Sequence, residues 1–490
     1  MEAPDSPKPF ARKMQERLAA SRFFTFSLLL HVVIVVMAGS VVLFKAYQEP
    51  PDFEAPDGGL VSSDASVQPP AEPPVDMSQS TFTPDAPTMS VPTPSLLSST
   101  NVTVPTFSVQ QSVPVIKPVQ ADAMSSALEK ASKAVSKVAG VPGSMEGRMG
   151  GTNRAKRMME TGGKKKSEEA VMRGLRWLVK TQNGDGTWAT ENRSAMTGLA
   201  ILCFLGHGET PTSPEFGPTL QKAVDWMVAK GTEYEGRLSM TKEGWGGQPG
   251  VYEHGIAAYA LGEFYTMTKD ERTAPLLKLA IGHIVNGQGP DGGWMYNFDK
   301  TMSDTSVSGW QIQALKAAHL SGLNIEGVDA ALDKAMLNLK RVQTDQGGFG
   351  YRKPDDRKGA SAYSLTGVGV LCTYFWKQEK DDLVRDGIKY LLDDDKPKVD
   401  YKGDKADLYA WYYNTQACLM VGGSAWSKWN RMFQDEICDN QSTDGSWPPL
   451  NGAAHGKLQQ APDGAGPVYR TTLCILMLEV FYRYMPVTKG

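Results

Sequence analysis

Cysteine is scarce in this chain, five residues in 490, and no two of them form a Cys-x-x-Cys pair. An odd count leaves at least one thiol unpaired in an oxidising compartment, and no disulfide scaffold is expected. A surplus of either charge is lacking as well. With 51 basic against 54 acidic side chains the net charge is −3, which gives no electrostatic footprint for nucleic acid as a partner. Lysine and arginine disappear altogether between Lys45 and Lys117, where residues 49–118 hold 14 prolines among many serines and threonines. Such a composition cannot bury enough apolar surface to fold. It describes a disordered linker over residues 45–120, stiffened by polyproline segments.

What the chain does have is a repeated turn. Gln182-Asn-Gly-Asp-Gly-Thr-Trp188, Gln288-Gly-Pro-Asp-Gly-Gly-Trp294, Gln343-Thr-Asp-Gln-Gly-Gly-Phe349 and Gln441-Ser-Thr-Asp-Gly-Ser-Trp447 each place a glutamine six residues ahead of an aromatic, with glycine between. Two degenerate copies, Gly244-Trp245-Gly246-Gly247 and the stretch 392–397, fill the gaps, so six units of roughly 50 residues run over 167–486, a period that signals a repeat architecture. Ahead of the first turn, Ala170, Val171, Leu175, Leu178 and Val179 recur at helical spacing opposite Arg173, Arg176 and Lys180, the pattern of an amphipathic helix. Behind the turns, 195–205, 255–261, 306–320, 361–376, 409–421 and 471–484 are apolar nearly all round. Twelve helices alternating between these two types can hide the second set only as an inner ring within an outer one. The fold class is all-α, an (α/α)6 toroid. Cys203, Cys372, Cys418 and Cys474 fall in inner helices and Cys438 in an outer one, where they read as small core residues.

The glutamine-to-aromatic turns resemble the repeats of the squalene cyclase and protein prenyltransferase β-subunit superfamily. The resemblance implies the toroid, and it allows the superfamily's chemistry to be tested position by position. Triterpene cyclases protonate an alkene with the middle Asp of an Asp-x-Asp-Asp-Thr stretch. The matching segment here is Thr301-Met-Ser-Asp304-Thr305, which puts Ser303 where the acid belongs. Prenyltransferase β-subunits hold zinc with an Asp-x-Cys pair and a later Asp-x-Tyr-His. Here Asp407-Leu-Tyr409 is followed by Ala410, and no Asp-x-Cys occurs. Neither activity is expected, and neither zinc nor any other cofactor.

The N-terminus carries a different signal. Residues 1–22 are basic, residues 23–44 form a predominantly apolar run without a charge barring His31, and Glu49, Asp52, Glu54 and Asp57 follow. At about 1.5 Å per residue the run is long enough to cross a hydrocarbon core of about 30 Å, and the flanking charges put the N-terminus in the cytoplasm and the toroid outside the cell membrane. A cleaved signal peptide is the rival reading. Ser27 and His31 share one face of the span, and with the proline-rich spacer they resemble the anchor of TonB-type energy transducers, which implies a proton-driven motor complex as a partner. The spacer lacks that family's Glu-Pro and Lys-Pro runs, and the alternative is a histidine beside a partner helix or reaching the headgroups. Residues 121–166 read as a short helix and a solvated hinge rich in glycine and lysine.

Within the toroid the heads of the inner helices should line one mouth. Tyr252, Glu253 and His254 open the second, Asp304 and Trp310 the third, and Asp407, Tyr409 and Tyr412 the fifth, a mixture of aromatic faces, carboxylates and an imidazole suited to a sugar or peptide. The reading is a membrane-anchored, extracytoplasmic, noncatalytic binding or scaffold module for a peptide, glycan or apolar ligand. The alternatives are a glycan hydrolase or lyase that pairs Glu253, Asp304 and Asp407, or a terpenoid cyclase-like enzyme with a diverged acid. Helix caps and packing are the bland roles for the same residues.

Overall fold

Helices of two compositions alternate along the chain, as the repeat requires. The outer set is α2 (Lys165–Thr181), α4 (Gly217–Glu233), α6 (Ala274–Gly287), α8 (Val328–Val342), α10 (Asp382–Leu391) and α12 (Gly423–Asp439). The inner set is α3 (Arg193–Gly206), α5 (Gln248–Thr268), α7 (Thr305–Ser321), α9 (Ala360–Lys377), α11 (Leu408–Val421) and α13 (Gly466–Leu478), followed by one turn, α14 (Val480–Arg483). Each inner helix packs against the next, and α13 returns to α3, which closes the ring. No strand occurs among the described residues, only an isolated bridge between Gln343 and Phe349 across one of the repeated turns. The computed structural model describes residues 143–484 except 240–244, 355–359, 378–380 and 453–456. The apolar run at 23–44 with Ser27 and His31, the linker and the start of the expected hinge lie outside the described residues. No helix among the described residues is long and apolar enough to cross a membrane.

The repeated turn works as a clamp between neighbouring units. Gln182 donates from Nε2 to Gly186 O at 3.0 Å within its own turn and to Thr219 O at 2.9 Å on α4. Gln288 does the same to Gly292 O and to Ala331 O on α8, both at 2.8 Å, and Gln343 reaches Leu383 O on α10 at 3.1 Å. Gln441 donates to Ala170 O on α2 at 2.7 Å, so the last turn grips the first outer helix. The aromatic seals the same joint. Trp188, Trp294 and Trp447 are fully buried, and each indole N–H donates to a carbonyl ten residues back, on Leu178, Ile284 and Ile437 at 2.7–2.8 Å. All five cysteines are buried and free.

Residues 143–163, expected as solvated hinge, form an ordered strap instead. A 3-10 turn at Gly143–Arg148 leads into α1 (Gly151–Thr161), and the pair lies across α14. Arg148 is fully buried, ion-paired to Glu263 at 2.7 Å, and donates from Nε to Arg483 O at 2.7 Å. Arg154 donates to His207 O at 2.9 Å, and the Trp426 indole donates to Thr161 O at 2.7 Å. The basic, glycine-rich composition that reads as a hinge is therefore a chain whose two arginines meet buried acceptors.

Candidate functional site

At the N-terminal ends of the inner helices the structure gathers five of the eight expected residues: Tyr252, Asp304, Trp310, Tyr409 and Tyr412. Asp304 caps α7, with Oδ1 accepting from the N–H groups of Ser306 at 2.7 Å and Val307 at 3.1 Å. Its Oδ2 accepts from the Tyr296 hydroxyl at 2.7 Å, and the hydroxyls of Tyr296 and Tyr351 lie 2.6 Å apart. Complete burial raises its pKa, against the pull of the two phenols and the cap N–H groups. Next to it, the Ser306 hydroxyl meets the Tyr409 hydroxyl at 2.6 Å, and Tyr252 reaches the same serine. Deeper along the axis Trp310 stacks on Tyr412, with centroids 5.7 Å apart and planes 19° apart, and meets Tyr413 edge-on. Tyr409, Tyr412 and Tyr413 share a helix face by their spacing of three and four residues. All of these rings are buried, so the axis behind Asp304 is filled with side chains.

His254 does not join them. Successive residues of an α-helix turn by about 100°, so His254 points about 200° away from Tyr252, into the shell between the rings. There Nδ1 accepts from Leu238 N–H at 3.0 Å, and Nε2 donates to Ala280 O on α6 at 2.9 Å. Burial lowers its pKa to about 3, and with both nitrogens engaged it holds no ligand. Its neighbours are the rings of Trp245 at 5.0 Å and Phe298 at 6.1 Å, and they brace the loop that carries Tyr296. That loop is strained, because Asn297 and Phe298 are consecutive non-glycine residues at φ 56° and 52°. Asn297 is held by Gly247 N–H on its Oδ1 at 3.0 Å.

Asp407 is a cap too: Oδ1 accepts from Ala410 N–H at 3.0 Å, and Oδ2 accepts from the Ser364 hydroxyl. Glu253 is buried within α5. Each of these two carboxylates is engaged at the head of a helix, Asp304 on α7 and Asp407 on α11. Ser303, in the position of the cyclase acid, donates to Asp291, which in turn pairs with Arg341 at 3.0 Å. Ala410 offers only a buried methyl and its backbone. No cluster among the described residues could hold a metal ion.

Two residues of this end were missed in the sequence. Tyr296 and Tyr351 are the half-buried groups that face outward from Asp304, and each stands two residues after the aromatic of its turn, Trp294 and Phe349. Arg352 lies over the Tyr351 ring at 5.0 Å.

No family model matches the chain, and no curated protein matches it. Among solved structures it is similar to the α-1,6-mannanase GH76A of Salegentibacter sp. HEL1_6 in complex with α-1,6-mannotriose, at 12% identity over 65% of this chain and 99% of that one, with a TM-score of 0.48. It is also similar to the type II terpene cyclase MstE from Scytonema, at 13% identity over 65% and 97% of the two chains, with a TM-score of 0.46. The Lin0763 protein from Listeria innocua matches at 12% identity over 64% and 97%, with a TM-score of 0.45. The ring of this chain is defined by the helix contacts described above.

Proposed function

We propose that the chain is a membrane-anchored protein whose extracytoplasmic toroid is a noncatalytic binding or scaffold module, presenting the face around Tyr296 and Tyr351 to a sugar or peptide. The observation that supports this most is the engagement of the inner-helix carboxylates. Asp304 and Asp407 each hold backbone N–H groups at a helix head and accept from hydroxyls, while Trp310 and Tyr412 fill the axis where a substrate would have to lie. A ligand pocket of ordinary size measures about 300–1,000 Å3, far more than this axis leaves open. Half-exposed phenols flanked by a guanidinium suit a ligand that rests on the rim, since an aromatic ring supplies area and its hydroxyl supplies direction.

The purified full chain, incubated with a panel of polysaccharides and peptides, is expected to release no new reducing ends or amines and to bind at least one member. Tyr351→Ala should weaken that binding roughly tenfold, the loss of one aromatic contact and its hydroxyl, with the melting temperature nearly unchanged. Turnover that disappears in Asp304→Asn or Asp407→Asn would overturn the noncatalytic reading. The membrane anchor is tested separately: deletion of residues 1–44 should move the protein from the membrane fraction to the supernatant.

A further inference from the structure

At the C-terminal ends of the inner helices the axis is not filled. A cavity of about 60 Å3 remains there, under the strap and between the second halves of α5 and α7. That is room for about four water molecules. Arg148, Tyr259, Glu263, Gln313, Lys316 and Tyr484 line it. The charges do not balance. Arg148 pairs with Glu263 at 2.7 Å, and Arg483 lies 3.7 Å from the same carboxylate while it donates to the Tyr259 hydroxyl at 3.0 Å. Lys316 has no ion pair or hydrogen bond among the described residues, and its ammonium rests 4.0 Å over the Phe375 ring. Burial raises the pKa of the other acid of this end, Glu479, against the pull of Arg483 and Arg148. Three cationic side chains, Arg148, Arg483 and Lys316, thus stand against two buried carboxyls, Glu263 and Glu479, and burial lowers the Lys316 pKa to about 8 although Glu263 pulls the other way.

Hydrogen bonding is incomplete in a way that narrows the ligand. Gln313 is fully buried, and its Nε2 donates to the Tyr413 hydroxyl at 3.0 Å, but its Oε1 has no partner among the described residues. A buried amide oxygen without a donor costs about 1–3 kcal/mol. An occupant that brings both a negative charge and an O–H answers both deficits. We propose that the cavity is a binding site for a small oxoanion that retains a hydroxyl group, of the hydrogencarbonate or hydrogenphosphate kind. Lys316 meets its charge and Gln313 Oε1 accepts from its hydroxyl. Because Arg148 is carried on the strap, an occupant also fixes the strap to the ring. This site lies at the end of the axis opposite Tyr296 and Tyr351 and does not rest on the reading of that face.

The test is calorimetric titration of the purified full chain with sodium hydrogencarbonate and sodium hydrogenphosphate, with sodium formate as the anion that lacks a hydroxyl. Saturable heat is expected from at least one of the first two, and Lys316→Met should weaken it by about tenfold or more, as loss of a charge-assisted hydrogen bond does. Gln313→Glu should supply the missing carboxylate in place, abolish anion binding and raise the melting temperature, and it keeps the proposal falsifiable should Lys316→Met fail to fold. In protein with 13C-methylated lysines, the Lys316 resonance should titrate near pH 8 without anion and about one unit higher with it. No heat from either hydroxyl-bearing anion, binding unchanged in Lys316→Met, or a Lys316 midpoint that the anion does not move overturns the proposal. Formate binding as tightly as the others overturns it as well, because the proposed occupant is one whose hydroxyl meets Gln313.

Discussion

Two buried histidines of this ring respond to acid in opposite directions, and the difference follows from what each imidazole touches. His254 sits between two backbone groups, and burial holds its pKa near 3. An unfolded histidine titrates at about 6.5, so the unfolded chain takes a proton that the native chain refuses. Its contribution to stability is full above that value and falls as pH drops from there toward 3, by about 1.4 kcal/mol per pH unit. For His207, burial and the Arg154 charge pull the pKa down, but hydrogen bonds to Glu168 at 3.2 Å and Glu209 at 2.6 Å outweigh them and raise it. Its contribution is full below about pH 6.5 and is lost as pH rises through the folded value. Burial works against the Glu168 carboxylate as well, yet the His207 partner brings its pKa to about 2. Proton NMR of the six histidines should therefore show one that stays neutral between pH 5 and 8 and vanishes in His254→Gln. A His254 midpoint near 6 would contradict the geometry. From sequence, His254 looked like a site residue because it opens an inner helix; only the rotation from Tyr252, with the position of α6, sends it into the shell.

The repeated turn was the most legible element of the chain, because one physical job recurs at fixed spacing. Glutamine, glycine and aromatic bind one unit to the next and recur together in four of the six units, and the period alone implies a ring of hairpins. Tyr296 and Tyr351 were not legible in the same way. They extend the turn by two residues in only two of the six units, and nothing local shows that their hydroxyls meet at Asp304. The clamp itself can be tested where it closes the ring. Gly445 has φ 111°, and a Cβ there would lie 2.6 Å from Arg173 O and from Trp177 Cβ on α2. Gly445→Ala is expected to cost about 2–3 kcal/mol, from the strained backbone and the clash together. Gln441→Ala removes only the bond to Ala170 O and should cost about 1 kcal/mol. Denaturant melts would measure both. A Gly445→Ala protein as stable as the parent would mean that the last turn does not clamp the first outer helix.

On the scale of the whole molecule, the strap at 143–163 is the part of the fold that lies outside the repeats. Its composition gave no sign of order, since arginines among glycines look solvated until the acceptors, Glu263 and Arg483 O for Arg148 and His207 O for Arg154, are in place. Only Arg154 and Met158 are buried along α1, so the strap is held by few side chains, and α1 should open before the ring does. Arg148 is its innermost hold. Breaking a buried ion pair by removing one partner typically costs about 3–5 kcal/mol, because the other charge is left unpaired. Here Arg483 already lies 3.7 Å from Glu263 and can take over the carboxylate. Arg148→Met should therefore fall short of that range, at about 2 kcal/mol, and the loss should appear in the strap rather than in the ring. Limited trypsin digestion reads this directly, since Lys156 is exposed on α1 and Lys164 follows it. Cleavage in that stretch should accelerate about tenfold or more, in proportion to the rise in the open population, while the melting temperature of the ring changes little. If cleavage is unchanged, Arg148 is not what holds the strap. If the ring melts along with it, the strap is part of the cooperative core and not an element that opens ahead of the ring.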